Sequence, residues 1–198
     1  MTIKCVLFDT DGVIVCYGEM FSERISRENN INSEDIAPFF KEIFVPKCMI
    51  GQADLKEEVV SWLPRWKWEG DVDSLLKYWF DSEKKINNDV KELIVKLRKS
   101  GVKCYLATNQ DKYRTEYLRN EMGFGKLFDG IFSSAYLGCK KPSQDFYSEV
   151  YNELGESFSK DEILYIDDEE KNVNAGLEFG FKVVLFKNIS DLDGVFDE

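Results

Sequence analysis

The 198-residue sequence contains no histidine. That absence excludes serine–histidine triads, histidine-ligated zinc and phosphohistidine chemistry. The five cysteines, Cys5, Cys16, Cys48, Cys104 and Cys139, are odd in number and show no paired spacing of a zinc or thioredoxin type. They are expected as reduced, mostly buried thiols. No apolar run approaches the length that spans a bilayer, and the first apolar stretch turns acidic too soon for a signal peptide, so a cytoplasmic protein is expected. Cations are also in deficit: 26 Lys and Arg stand against 37 Asp and Glu, a net charge of −11. Broad binding to nucleic acid or to an anionic membrane is therefore excluded, and any anionic ligand has to be met by local groups. Carboxylate and lysine chemistry remains. With 43% hydrophobic and 14% aromatic residues, the chain has ample material for a core.

The hydrophobic pattern divides the chain. Residues 3–8 read as a strand buried on both faces. Residues 15–85 carry helical spacing instead. Phe21 and Ile25 lie on one face, Phe39, Phe40, Ile43 and Phe44 form a stripe closed by Pro46, and further helices are expected at 52–63 and 71–84. From residue 87 onward helices and strands alternate. Helices are expected at 89–100, 112–122, 143–154 and 171–179, with strands at 102–107, 131–133, 163–166 and 182–186. The acidic end, 188–198, reads as peripheral. Such alternation implies an α/β fold: a Rossmann-like, mainly parallel sheet with helices on both faces, plus a small all-helical cap inserted after the first strand. The expected domains are a core of residues 1–14 and 86–198 and a cap of residues 15–85, hanging over the C-terminal edge of the sheet.

Chemistry-bearing residues fall at the strand ends. The first strand runs into Asp9-Thr10-Asp11-Gly12, where period-2 geometry puts both carboxylates on one side and the glycine permits a sharp departure. Two carboxylates so close need a cation or a shared proton, and hard oxygen ligands favour Mg²⁺. One can attack a phosphoryl group while its protonated neighbour serves the leaving oxygen. The second strand ends in Thr108-Asn109-Gln110, a hydroxyl and loop amides able to hold phosphate oxygens. Lys141 precedes Pro142, expected at the first position of a helix, and can neutralise a phosphate; Lys140 is the weaker candidate. The fourth strand breaks into Asp167-Asp168-Glu169-Glu170, a second half for a Mg²⁺ site, with Asn172 in support and the glutamates serving the following helix.

Taken singly, each of these has a plain reading as a turn, a cap or a solvated surface. In this order they resemble the four motifs of the haloacid dehalogenase superfamily, carried here by Asp9-Thr10-Asp11-Gly12, Thr108, Lys141 ahead of Pro142, and Asp167-Asp168 with Asn172. The chain is similar to the branch of that superfamily with a helical cap after the first motif and a paired aspartate in the fourth. The resemblance implies Asp9 as nucleophile and Asp11 as general acid and base, with the Asp11 carbonyl also on the metal. It implies Thr108 and the Asn109 amide orienting the phosphoryl group, Lys141 holding it and Asp9, Asp168 as the principal metal carboxylate, and Asp167 ligating directly or through water. Asp11 and the aspartate pair favour phosphoryl transfer over dehalogenation. The expected activity is Mg²⁺-dependent hydrolysis of a small phosphorylated metabolite such as a sugar phosphate. A phosphomutase and a non-catalytic binding relative are the alternatives. Trp62, Trp66 and Trp68 are candidates for stacking on a substrate but are expected in the cap core; Lys47, Lys56, Arg65, Lys67, Lys112 and Arg114 are further cations to be placed.

Overall fold

The computed structural model describes residues 2–16 and 18–196. The described residues form a sheet of five parallel strands: β1 (Cys5–Phe8), β2 (Lys103–Thr108), β3 (Gly130–Ser133), β4 (Ile163–Asp167) and β5 (Lys182–Leu185), in spatial order β3-β2-β1-β4-β5. The order reverses between β1 and β4, and there the backbone of Asp9 still donates to Ile166 O (2.9 Å). A reversal of this kind opens a crevice outside the carboxyl ends of the strands.

Side-chain alternation along β1 feeds two cores. Val6 and Phe8 pack with Leu106 and Ile166 against Val90, Ile94 and Leu97 of the helix α5 (Asn88–Lys99) and Leu118 of α6 (Lys112–Asn120). Cys5 and Leu7 face the other way, toward Phe146, Tyr147 and Val150, which belong to the helix Gln144–Leu154. Between β1 and β2 lie α1 (Phe21–Asn29), α2 (Ser33–Phe39), α3 (Leu55–Val59) and α4 (Val72–Ser82), gathered on their own cluster of Phe21, Phe39, Trp66, Leu75 and Trp79. The chain crosses between the two regions twice, side by side: Cys16 N donates to Lys85 O (2.7 Å) and Asn87 N to Ile14 O (2.8 Å).

Several local expectations are corrected. The Phe39–Phe44 stripe is not one helix: α2 contains Pro38 and gives way to a wider π turn (Phe40–Phe44), closed by Val45 N donating to Phe40 O (2.9 Å). Pro38 has no N–H to return to the preceding turn, so the winding changes before Pro46 is reached. The helix expected at 52–63 begins only at Leu55, because the Asp54 carboxylate caps it by accepting from Lys56 N (2.8 Å), and it tightens into a 3₁₀ turn over Val60–Trp62. Two short helices, α7 (Phe124–Leu127) and α8 (Ser134–Leu137), lack a periodic signature, and α9 (Gln144–Leu154) and α10 (Glu170–Phe179) complete the helices named here. The 188–198 stretch is not simply peripheral: Leu192 is buried, and Val195 and Phe196 pack on the core, while Asp197 and Glu198 lie outside the described residues. No helix among the described residues is long and apolar enough to cross a membrane.

Candidate active site

A cavity of about 510 Å³ lies over the carboxyl ends of β1, β2 and β4, with Asp9, Asp11, Thr108, Asn109, Lys141 and Asp168 in its walls. At its floor Lys141, 3% exposed, donates from Nζ to Asp9 Oδ1 (2.8 Å) and to Asp167 Oδ2 (2.7 Å). Burial disfavours the Lys141 charge, but the two carboxylates outweigh it and hold the ammonium well above its usual range. Burial pushes the Asp9 carboxyl up, against the pull of Lys141 and with the repulsion of Asp167. Asp167 is held below its usual range: burial opposes the charge, but Lys141 and the donors around it prevail. Those donors are Lys141, the Tyr165 hydroxyl, Glu169 N (2.8 Å) and Asn172 Nδ2 (3.1 Å), so both oxygens of Asp167 are occupied.

The loop after β1 leaves sharply at Gly12, whose φ of 77° lies in the left-handed region, and Val15 N donates back to Thr10 O (2.8 Å). This turn sets Asp11 at the cavity wall, where Gln110 Nε2 donates to Asp11 Oδ2 (2.6 Å). Burial raises the Asp11 carboxyl in spite of Arg114, Gln110 and Lys141. Thr108 closes β2 and is buried. The Asn109 carboxamide is engaged on both sides with the backbone of Lys141, accepting from its N (2.9 Å) and donating to its O (3.1 Å). Pro142 is not the first residue of α9, as expected, but lies before the cap: the bond to Lys141 is cis, and Ser143 caps the helix by accepting from Asp145 N (3.3 Å).

One carboxylate oxygen each from Asp9, Asp167 and Asp168 lies within 4.8 Å of the others. Three carboxylates against one ammonium leave an excess of negative charge, and the donors are all hard oxygens, so the residues fit a divalent cation such as Mg²⁺. Beside them Asn172, 1% exposed, keeps Oδ1 without a hydrogen-bond partner while its Nδ2 donates to Asp167 and to Glu169 Oε2 (2.9 Å). Glu169 is the cap residue of α10.

The six further cations named from the sequence do not line this cavity. Lys112 pairs with Asp54 (2.6 Å), and Arg114, buried, donates to Phe80 O (3.0 Å) and Glu83 O at the carboxyl end of α4, so both link α6 to the helical block. Lys56 pairs with Asp73 (2.5 Å), Lys67 donates to Asn30 O (2.8 Å), and Arg65 lies over the Trp62 ring. Neither these nor Lys47 line the cavity, whereas Lys140 does, with Nζ donating to Val45 O (3.2 Å). Trp62 and Trp66 are core residues of the helical block, and Trp68 packs on Tyr78. Residues that sequence reasoning missed are Gln110, Tyr165, Glu83 and the Asn109 carboxamide. Only Tyr165 carried a usable signal, two positions before Asp167 on the same face of β4.

A family model described as a haloacid dehalogenase-like hydrolase matches residues 3–180. The sesquiterpene phosphatase of Aspergillus oryzae is 35% identical over 88 residues, 44% of this chain and 44% of that protein. The drimenol cyclase of Aspergillus calidoustus is 29% identical over 86 residues, 43% of this chain and 16% of that protein. The matches thus span less than half the length of these curated relatives. A crystal structure of a family enzyme from Bacteroides thetaiotaomicron, in complex with magnesium and inorganic phosphate, shares the fold with a TM-score of 0.81 at 19% identity, over 98% of this chain and 99% of that one.

Proposed function

The chain belongs to the haloacid dehalogenase-like hydrolases, and on that premise we propose that it is a Mg²⁺-dependent phosphatase that hydrolyses the phosphate monoester of a small metabolite through an aspartyl-phosphate on Asp9. The observation that carries this reading is the contact of Asp9 with a buried lysine, with a second, separately tethered carboxylate, Asp11, on the same cavity. A relative named as a phosphatase, and a neighbour of the same fold crystallised with magnesium and phosphate, support the same reaction class.

In this reading Lys141, the Thr108 hydroxyl and the Asn109 amide hold the non-bridging oxygens of the phosphoryl group. An Asp9 oxygen attacks phosphorus, the bond to the ester oxygen breaks, and Asp11 delivers its proton to the departing alkoxide. The raised Asp11 carboxyl suits it to carry that proton. Asp11, now a carboxylate, takes a proton from water as that water attacks the phosphorus, which releases phosphate and frees Asp9. Asp9, Asp168 and the Asp11 carbonyl would hold Mg²⁺, with Asp167 ligating directly or through water while it also keeps Lys141 in place. When bound, the ion supplies the positive charge that lets Asp9 ionise and that meets the phosphoryl oxygens. Residues 15–85 act as the cap that screens the reaction from bulk water.

The test is phosphate release from p-nitrophenyl phosphate, with Mg²⁺ and with chelator, by the wild type and by Asp9→Asn. Metal-dependent release that disappears in the variant is expected. Equal release by the variant would remove Asp9 from the mechanism.

A further inference from the structure

The phosphatase reading leaves the alcohol half of the ester unspecified, and the helical block is where that half would lie. A second cavity, of about 220 Å³, abuts the first: Asp11, Met20, Val45, Met49 and Glu83 line both. Its remaining walls include Phe21, Phe40, Phe44, Trp79 and Phe80. A third hollow, of about 820 Å³, continues outward between α1 and α2, sharing Ser22, Phe40 and Val45 with the second.

The general acid has to reach the ester oxygen, and Asp11 lines both the reacting cavity and the aromatic chamber. The carbon attached to that oxygen is thereby delivered to the mouth of the chamber. Ser22 and Asp111 also line the chamber, and Asp111 Oδ2 keeps no hydrogen-bond partner; the other polar groups beside the rings are already engaged with protein partners. Gln110 donates to Asp11, Glu83 accepts from Phe21 N (2.8 Å) and Trp79 Nε1 (3.3 Å), and Arg114 donates to the carbonyls of Phe80 and Glu83. A sugar placed there would bury hydroxyls among aromatic rings, at a loss of about tenfold in affinity for each one left unpaired. A hydrocarbon chain gains instead, by about fourfold for each methylene taken out of water.

We propose that the substrate is the phosphate monoester of an apolar alcohol, whose hydrocarbon chain passes from Asp11 into the chamber walled by Phe21, Phe40, Phe44 and Trp79 and outward past Val45. This inference rests on the phosphatase reading and names the substrate class of the same site. Its test is the specificity constant of the full chain with Mg²⁺ on methyl, butyl, octyl and dodecyl phosphate below their micelle concentrations, alongside glucose 6-phosphate. The expected result is a rise of about fourfold per added methylene over the first several carbons, with glucose 6-phosphate no better than methyl phosphate. Val45→Asp, which places a charge in the shared wall, is expected to flatten the ratio of octyl to methyl phosphate by at least tenfold; should that variant fail to fold, the wild-type series decides alone. Turnover independent of chain length, or a preference for glucose 6-phosphate, overturns the inference and leaves the phosphatase reading standing. No phosphate release from any of the five esters overturns both.

Discussion

Lys141 is a buried cation held between two carboxylates, and its charge can be removed with little change of shape. Replacing it with methionine keeps the length of the side chain and removes the charge that sits 2.8 Å from Asp9 Oδ1 and 2.7 Å from Asp167 Oδ2. Breaking a buried ion pair by deleting one partner costs about 3–5 kcal/mol, since the charge left behind is uncompensated. For a chain of 198 residues, at about 2–4 °C per kcal/mol, the melting temperature of Lys141→Met in chelator should fall by roughly 6–20 °C. Thermal unfolding followed by circular dichroism near pH 8 reads this directly. Adding Mg²⁺ should close part of the gap, because loss of the ammonium raises the net negative charge of the site and with it the affinity for the cation above that of the wild type, and tighter binding to the folded state stabilises it more. The stranded carboxylates of the variant then have a new partner. A loss of less than about 2 °C in chelator, against an expectation drawn from the magnitudes of buried pairs, would refute the claim that the Lys141 charge holds the two aspartates together.

The Asp111 carboxyl gives a pH prediction of opposite sign to the usual acid denaturation. Burial pushes it up to about 6 from 3.8, while it caps α6 by accepting from Tyr113 N (2.8 Å). A carboxyl raised on folding binds its proton more readily in the folded state, so its contribution to stability is lost as pH rises between the two values. Asp111→Asn keeps the capping oxygen and cannot ionise. Its stability relative to the wild type should therefore increase by about 2 kcal/mol between pH 4 and pH 8 in denaturant titrations, and a difference independent of pH would contradict the assignment. In the site itself, Asp11→Asn should lower turnover by about 10²–10⁴-fold, the range of a lost general acid. Gln110→Ala, which frees Asp11 Oδ2, should lower turnover by a smaller factor and shift its pH profile; an unchanged profile would leave Gln110 without a part in positioning Asp11.

The fold and the floor of the site were legible for one reason: three of the four motifs sit at the carboxyl end of a strand. Asp9 after β1, Thr108 closing β2 and Asp167 closing β4 are placed by the sheet itself, since parallel pairing aligns Phe8 with Leu106 and Ile166. Lys141 depends on more than its own position, because the Asn109 carboxamide brackets its backbone across 32 residues of sequence. Glu83, and the buried role of Arg114, could not be found from local pattern. Arg114 stands in a helix start that reads as solvated, and only the packing of α4 onto α6 turns it into a buried donor for the carbonyls of Phe80 and Glu83. The short helices α7 and α8 span four residues each, too few for any period to register. The close of the chain misled for a related reason: an acidic composition concealed Leu192, Val195 and Phe196, which fold back on the core.

The central claim is that Asp9 becomes phosphorylated during turnover. The direct measurement is rapid acid quench of the Mg²⁺-loaded protein during hydrolysis of octyl phosphate or p-nitrophenyl phosphate, followed by peptide mass spectrometry. An acid-stable, base-labile phosphoryl group is expected on the peptide carrying Asp9 in the wild type, and none in Asp9→Asn. Phosphate release in the wild type with no phosphorylated peptide, or with the phosphoryl group on another residue, would contradict the claim.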